Sequence, residues 1–389
     1  MTGPTPYLNS RLQDFTSTIF VEMSELALAT GAVNLGQGFP DTDGPAEILE
    51  TAVKAIRDGD NQYPPGPGSA QLRQAIAEHQ QRFYGLDYDP ATEVLVTAGA
   101  TEAIAAAVLA LCETGDEVVG FDPAYDSYAP CIAMAGAHRR LVTLRAPDYR
   151  FDPDELRAAI TDRTRLLLLN SPHNPTGKVF SAAEQQLIAE LAIERDLVVV
   201  TDEVYEHMTY DGVRHVPLAT LPGMRERTVT ISSAGKTFSV TGWKIGWVCA
   251  PAALITAVRT AKQFLTFTGG APFQPAVAVG LGLADDFYAD LRDTLQAKRD
   301  RLAAGLAEAG LEVFVPAGTY FVTADVRPLG YDDGVAFCRE LPHRSGVVGV
   351  PNVVFYDDKP AGATLVRFAF CKRDEVLDEA IGRLQGLRR

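Results

Sequence analysis

The sequence has no excess of basic residues and no long hydrophobic run. Its 389 residues include 35 Lys and Arg against 50 Asp and Glu, which gives a formal net charge of −15 at pH 7. An acidic chain repels the phosphate backbone of a nucleic acid, so we expect no nucleic-acid partner. The longest apolar run, about 103–112, is too short to cross a bilayer, so we expect no membrane partner.

Signals for export and for a metal site are also missing. Residues 1–10 are polar and lack the basic and apolar segments of a signal peptide. The five cysteines are far apart in the sequence and form no C-x-x-C motif, which argues against a disulfide framework and against a zinc site. We therefore predict a cytoplasmic protein with reduced thiols and no metal.

The length and the pattern of the chain indicate two domains, because 389 residues exceed the size at which a single core usually stops growing. Over 91–250, short β-branched runs alternate with helical stretches, which is typical of an α/β domain with a mainly parallel sheet. A long charged helix, 286–309, and short strands follow. We predict a large domain over 47–283 and a smaller α+β domain formed by 1–46 and 284–389.

Polar side chains follow two of the predicted strands, where parallel sheets bind their ligands. Asp202, directly after LVVVT, either caps a helix or pairs as a buried carboxylate with a protonated pyridine nitrogen. Tyr205 would face the same way and could reach a hydroxyl of the same ring. Asn174, in NSPHNPTGK, either forms an Asx turn or donates to the ring oxygen.

Two further segments carry groups that suit a phosphate and a carbonyl carbon. The backbone N–H groups of Gly99, Ala100 and Thr101 open a helix and could bind an anion, although such a turn is often only structural. Lys236 follows the strand TVTIS among small and hydroxyl residues, and a desolvated lysine there would be a Schiff-base nucleophile rather than a solvated surface residue. Lys244 would supply a second cation for the phosphate.

Tyr125 and Arg367 each have two interpretations. Tyr125, in FDPAYDSY, is either a core aromatic residue or a ring that stacks on a flat cofactor. Arg367 lies in the apolar strand LVRFAF, where an unpaired guanidinium would be costly. It either pairs with a protein carboxylate, which the sequence favours, or binds a substrate carboxylate at two points.

The order and spacing of these motifs resemble the class I and II aminotransferases of pyridoxal 5′-phosphate (PLP) fold type I, from about Val33 to the C-terminus. This resemblance implies an α/β fold in which helices flank a mainly parallel seven-stranded sheet, with a smaller α+β domain. It also implies PLP as the cofactor and ping-pong transamination between an L-amino acid and 2-oxoglutarate.

The resemblance further implies a role for each candidate residue. Lys236 would carry PLP as a Schiff base, Asp202 would hold the pyridine nitrogen, and Tyr205 and Asn174 would contact the ring hydroxyl. The phosphate ligands would be Gly99, Ala100, Thr101, Ser233 and Lys244, Tyr125 would stack on the ring, and Gly38, Asn174 and Arg367 would bind substrate. Tyr63, in NQYPPGPGS, would reach the phosphate of a neighbouring subunit, which implies a homodimer.

The motif TGWK resembles the kynurenine/glutamine aminotransferase branch, whereas much of the wider family has arginine in place of Lys244. Within that branch, NLGQGFPD, NQYPPGPGSA and GGAPFQPAVA resemble the bacterial N-succinyldiaminopimelate aminotransferases of lysine biosynthesis. No residue identifies the site for a distal succinyl group. Phe20, Phe39 and Phe267 could instead form an apolar pocket for aromatic or sulfur-containing amino acids.

Several alternatives remain open at this point. The chain could be a kynurenine, glutamine or methionine aminotransferase, or a β-lyase that acts on cysteine conjugates with the same site. A non-catalytic PLP-binding or nucleotide-binding module is an alternative of another class. Neither GxxxxGK[ST] nor GxGxxG occurs in the sequence, which argues against the nucleotide-binding module.

Overall fold

A computed structural model describes residues 5–15 and 19–388. The α-helices are α1 (Ile19–Thr30), α2 (Ala46–Asp58), α3 (Ala70–Tyr84), α4 (Gly99–Leu111), α5 (Tyr128–Ala135), α6 (Pro153–Ala159), α7 (Ala182–Glu194), α8 (Ala234–Thr237), α9 (Ala252–Leu265), α10 (Phe273–Leu281), α11 (Asp285–Glu308), α12 (Gly334–Ser345), α13 (Lys359–Gly362) and α14 (Asp374–Leu384). The strands are β1 (Val33–Asn34), β2 (Val94–Thr97), β3 (Glu117–Asp122), β4 (His138–Thr143), β5 (Thr164–Asn170), β6 (Val198–Asp202), β7 (Thr228–Ser233), β8 (Gly246–Cys249), β9 (Glu312–Phe314), β10 (Phe321–Asp325), β11 (Val347–Val348), β12 (Val350–Pro351) and β13 (Leu365–Ala369). Short 3-10 turns connect several of them.

The main sheet has seven strands in the order β2-β8-β7-β6-β5-β3-β4. Strand β8 runs antiparallel to both of its neighbours, and the other pairs are parallel. Strands β2, β3 and β7 are buried along their whole length, because helices cover both faces of the sheet. The predicted α/β fold with a mainly parallel seven-stranded sheet is confirmed.

The C-terminal part of the chain forms a second, antiparallel sheet in the order β12-β13-β10-β9. Its central strands pair with Thr323 opposite Arg367. The N-terminal strand β1 pairs with β11, so residues before the main sheet join the C-terminal part. These pairings support the predicted division at residues 46/47 and 283/284, which stays a prediction.

The site is positioned by strand ends that meet at one edge of the main sheet. Thr97, Asp122, Asn170, Asp202 and Ser233 are the last residues of β2, β3, β5, β6 and β7. Because these strands are parallel, their carboxyl ends point to the same side, where open α/β sheets bind ligands. Within the described ranges, no helix has the length and hydropathy needed to span a membrane.

Candidate active site

A cavity of about 200 Å³ opens at the carboxyl edge of the main sheet. Ten of the predicted site residues line it: Gly99, Ala100, Thr101, Tyr125, Asn174, Asp202, Tyr205, Ser233, Lys236 and Lys244. The structure thus brings together residues that are up to 145 positions apart in the chain, from Gly99 to Lys244. Gly38, Arg367 and Tyr63 do not line this cavity.

Lys236 lies in the single turn α8, which directly follows β7, and this half-buried residue lines the cavity. Its Nζ donates to the carbonyl oxygen of Gly38 at 3.3 Å and lies 5.8 Å and 5.5 Å from the ring centres of Tyr205 and Tyr320. Burial lowers the pKa of Lys236 to about 8. About a tenth of this amine is therefore uncharged at pH 7, far more than for an ordinary lysine, and the neutral form is the one that acts as a nucleophile or a base.

Asp202 ends β6 and is buried. Its Oδ2 accepts a hydrogen bond from the Tyr128 hydroxyl at 2.6 Å, and its Oδ1 accepts from the Val204 N–H at 3.3 Å. Burial raises the pKa of Asp202, and these two hydrogen bonds oppose the rise. The next helical element begins at Leu218, so Asp202 does not cap a helix. A buried carboxylate without a basic partner suits a protonated pyridine nitrogen.

Asn174 and Arg367 are in direct contact. The Arg367 guanidinium donates from Nη1 to Asn174 Oδ1 at 2.8 Å and from Nη2 to the Gly36 carbonyl at 3.4 Å. Its Nε is buried without a partner, and no ion pair joins it to an aspartate or glutamate within residues 5–15 and 19–388. The ion pair that the sequence favoured is therefore wrong, and Arg367 has a free charge that suits a substrate carboxylate.

The predicted phosphate turn lies at the start of α4. Gly99 has φ +77°, and a Cβ atom there would come within 3.2 Å of Lys244 Cε and Nζ, so the lysine amine lies directly over the turn. The Ala98 N–H is satisfied by Glu102 Oε2 at 2.6 Å. The next N–H groups of the helix start, with Lys244 and the hydroxyls of Thr101 and Ser233, form a donor set that fits a phosphate.

Gly38 is in contact with Lys236. Its carbonyl accepts hydrogen bonds from Lys236 Nζ and, at 2.6 Å, from the Tyr320 hydroxyl. A Cβ atom on Gly38 would lie 2.5 Å from the ring of Phe321, so no larger residue fits there. The loop is thus held close to Lys236.

Tyr63 and the three phenylalanines lie outside the small cavity. The Tyr63 side chain is 80% exposed and contacts Phe267. Phe20 lines a second cavity, whereas Phe39 and Phe267 are exposed. No ring contact joins any two of these phenylalanines among the described residues, so the single apolar pocket considered from the sequence does not form in one chain.

Sequence reasoning missed Tyr128, Asn170 and Tyr320. Tyr128 is three residues after Tyr125, with their ring centres 5.6 Å apart, and this spacing at a helix start could have indicated a shared face. Asn170 accepts from the Asn174 N–H at 2.7 Å and donates to the Asp202 carbonyl at 2.8 Å. Tyr320 has no comparable signal, because it lies in the bend just before β10, far from the other site residues in the sequence.

Comparison with known proteins shows the family to which the chain belongs. A model of the family "aminotransferase class I and II" matches residues 30–384. A probable N-succinyldiaminopimelate aminotransferase of Mycobacterium tuberculosis is 59% identical over 389 aligned residues, which cover 97% of this chain and 98% of the relative. A solved structure of the N-succinyldiaminopimelate aminotransferase from this organism has a TM-score of 0.95 and 59% identity, with coverage of 98% of this chain and 100% of that one.

Two other relatives have different printed activities. A methionine aminotransferase of Escherichia coli is 41% identical, with coverage of 97% of this chain and 98% of the relative. A kynurenine–oxoglutarate transaminase of Dictyostelium discoideum is 37% identical, with coverage of 98% and 96%.

The lowered pKa of Lys236 predicts an unusual pH dependence of its reactivity. In the cofactor-free protein, the rate at which a small amine-reactive reagent labels Lys236 should rise with pH with a midpoint near 8, because only the neutral amine reacts. Lys54, an exposed lysine paired with Asp58, has a raised pKa and should need a higher pH. Peptide mapping by mass spectrometry gives both midpoints, and coincident midpoints would contradict the prediction.

The hydrogen bond from Tyr128 predicts a loss of cofactor affinity in Tyr128→Phe. Without the hydroxyl, the pKa of Asp202 rises further, and we expect the dissociation constant of PLP to increase about tenfold. The increase should be larger at lower pH. Tyr288→Phe is the matched control, because this buried hydroxyl donates to the Gly280 and Leu281 carbonyls elsewhere. Equal constants for the two variants in a fluorescence titration would refute this role of Tyr128.

Proposed function

Because the chain belongs to the class I and II aminotransferase family, we propose that it transfers an amino group between N-succinyl-LL-2,6-diaminopimelate and 2-oxoglutarate. The chain is a PLP-dependent aminotransferase, and its substrates are amino acids and 2-oxo acids. The specific donor is our proposal. The observation that carries it is the 59% identity to the N-succinyldiaminopimelate relative, against 41% and 37% for the methionine and kynurenine relatives.

The donor set of the small cavity fits PLP. When bound, PLP supplies an aldehyde carbon that condenses with amines and a ring that accepts electrons. Lys236 would hold the aldehyde end, Asp202 the pyridine nitrogen, and Asn174 and Tyr205 the ring oxygen. The PLP phosphate would be held by Gly99, Ala100, Thr101, Ser233 and Lys244. Tyr125 would cover the ring.

Each ionisable side chain of the site has a separate role in transamination. Arg367 binds the α-carboxylate of the substrate at two points. Lys236 Nζ, once free, takes the proton from the substrate Cα and returns it, because its lowered pKa allows both directions near neutral pH. Asp202 keeps a negative charge next to the pyridine nitrogen throughout. The donor leaves as a 2-oxo acid before 2-oxoglutarate enters, since both use the same arginine.

A long donor side chain needs space beyond the small cavity. A second cavity of about 1440 Å³ shares Tyr125, Tyr128 and Asn170 with it. Phe20, Arg139 and Lys359 are among the other residues that line the larger cavity. This space supports a donor as long as N-succinyl-diaminopimelate.

We also propose a cytoplasmic homodimer. Tyr63 is exposed and does not line the cavity of its own chain, which supports a role in the site of a partner subunit. The five cysteines are buried and unpaired, as in proteins of reducing compartments.

Replacement of the two central ionisable groups tests the reaction. We expect Lys236→Ala to abolish turnover, because Lys244, the other lysine that lines the cavity in the described part of the chain, lies over the phosphate turn. We expect Asp202→Ala to remove most of the turnover. Both variants should be measured in a coupled assay of glutamate formation. Lys54→Ala, on an exposed helix face, is the control. Near-normal activity of either site variant would defeat the assignment.

A panel of amino donors tests the substrate. We expect the highest kcat/KM for N-succinyl-LL-2,6-diaminopimelate when it is compared with kynurenine, glutamine and methionine, each with 2-oxoglutarate as the acceptor. A tenfold or greater preference for kynurenine or methionine would exclude the proposed donor. Release of pyruvate and ammonia from cysteine conjugates without an oxo-acid acceptor would reveal β-lyase activity.

A further inference from the structure

Two aromatic rings stand together on the surface, away from the cavity of their own chain. Tyr63 is 80% exposed and Phe267 is 48% exposed, and their rings meet edge to face with centres 5.5 Å apart. Neither residue lines the small or the large cavity. We call Tyr63 and Phe267 the aromatic projection. Adjacent exposed rings fit a surface that another molecule covers.

A buried lysine holds the base of the aromatic projection. Lys262 is only 2% exposed, and its Nζ donates to the Phe267 carbonyl at 2.6 Å and to the Gly66 carbonyl at 3.1 Å. Gly66 lies in the same loop as Tyr63. One ammonium group therefore ties together the two loops that carry the rings.

The backbone at Phe267 needs such support. Its φ is +63°, in the left-handed region that bulky residues rarely adopt. The carbonyl that Lys262 binds belongs to this same residue, so the lysine stabilises the strained conformation. Strained backbone conformations of this kind cluster at functional positions.

The base of the aromatic projection is also linked to the phosphate turn of its own chain. Glu102 accepts from the Thr266 hydroxyl with Oε1 and from the Ala98 N–H with Oε2. Ala98 directly precedes the turn at Gly99. The buried Glu102 carboxylate thus connects the phosphate turn of its own subunit with the loop of Phe267, which would serve the site of the partner subunit.

We propose that Lys262 is a positioning residue that acts across the subunit boundary: it fixes the aromatic projection so that the Tyr63 hydroxyl reaches the cofactor phosphate of the partner subunit. This inference rests on the proposed homodimer. Phe267 contributes by packing against the Tyr63 ring. The rival interpretation is that Lys262 only stabilises the fold of its own subunit.

Two variants weaken the support of the aromatic projection by different means. Lys262→Met removes the donor, and Phe267→Gly removes the ring while relieving the positive φ, so the second variant should not lose stability through backbone strain. In both homodimers we expect the PLP dissociation constant to rise and turnover to fall, each by about tenfold. Lys298→Met is the matched control, because this lysine donates to the Lys372 carbonyl in the smaller domain. A wild-type dissociation constant in both variants would overturn the proposal.

Heterodimers with two affinity tags separate action in the partner subunit from action in the same subunit. In the first arrangement, one subunit carries Lys236→Ala and the other carries Lys262→Met. The intact Lys236 then faces an intact aromatic projection, and we expect about half of the wild-type activity, from one of two equivalent sites. In the second arrangement, both substitutions are in one subunit and the other is wild type. We expect this second arrangement to have about a tenth of the activity of the first arrangement, because the intact Lys236 now faces the weakened aromatic projection.

The reverse order of the two arrangements would show action within one subunit and would overturn the inference. A reference heterodimer of Tyr63→Phe with Lys236→Ala separates the two proposals. The role of Lys262 is wrong and the shared site stands if the reference heterodimer is more active than the Tyr63→Phe homodimer, while the first arrangement is no more active than the Lys262→Met homodimer. If neither regains activity, the shared site in the proposed homodimer is wrong as well.

Discussion

The desolvation of three ionisable side chains at one edge of the main sheet is the constraint on which the rest of the site depends. Asp202 and Arg367 are buried and Lys236 is half-buried, and none of the three forms an ion pair within the described ranges. Burial lowers the pKa of Lys236 to about 8 and of Arg367 to about 10, and it raises the pKa of Asp202. If these groups were paired with each other, their charges would be cancelled before a ligand arrived. The chain instead supports them with neutral groups, such as the Tyr128 hydroxyl and the Gly38 carbonyl.

The parallel sheet makes this arrangement possible. Each strand end can deliver one or two side chains to the same edge, while the buried strands beneath exclude water and fix the backbone. Asn170 shows the coupling most directly, because its side chain bonds both the Asp202 carbonyl and the Asn174 N–H, which lie on different segments. The second sheet supplies Arg367 from β13, and Asn174 meets it at 2.8 Å. The site therefore requires both sheets to be in place.

Residues that follow a strand could be predicted from the sequence, because strand ends are visible as β-branched runs followed by polar or glycine residues. Asp202, Gly99 and Lys236 were found in this way, and the cavity contains all three. Tyr128 and Tyr320 were missed because their importance depends on distances across the fold, to Asp202 and to Gly38. Arg367 was recognised but assigned the wrong preferred partner, since hydropathy shows that a charge is buried and does not show what surrounds it. Lys262 looks like an ordinary helical lysine, and only the structure shows its two carbonyl acceptors.

With the proposed role of Arg367, one site would accept both an amino acid and a 2-oxo acid. Its guanidinium carbon lies 3.9 Å, 4.7 Å and 5.5 Å from the ring centres of Phe321, Phe355 and Phe20. Aromatic faces hold a cation in place without cancelling its charge, so the group stays available to a carboxylate. Every substrate of the reaction carries an α-carboxylate, and this arginine would therefore bind donor and acceptor alike. Selection between donors must then arise from contacts with the rest of the side chain, beyond the three rings and in the larger cavity.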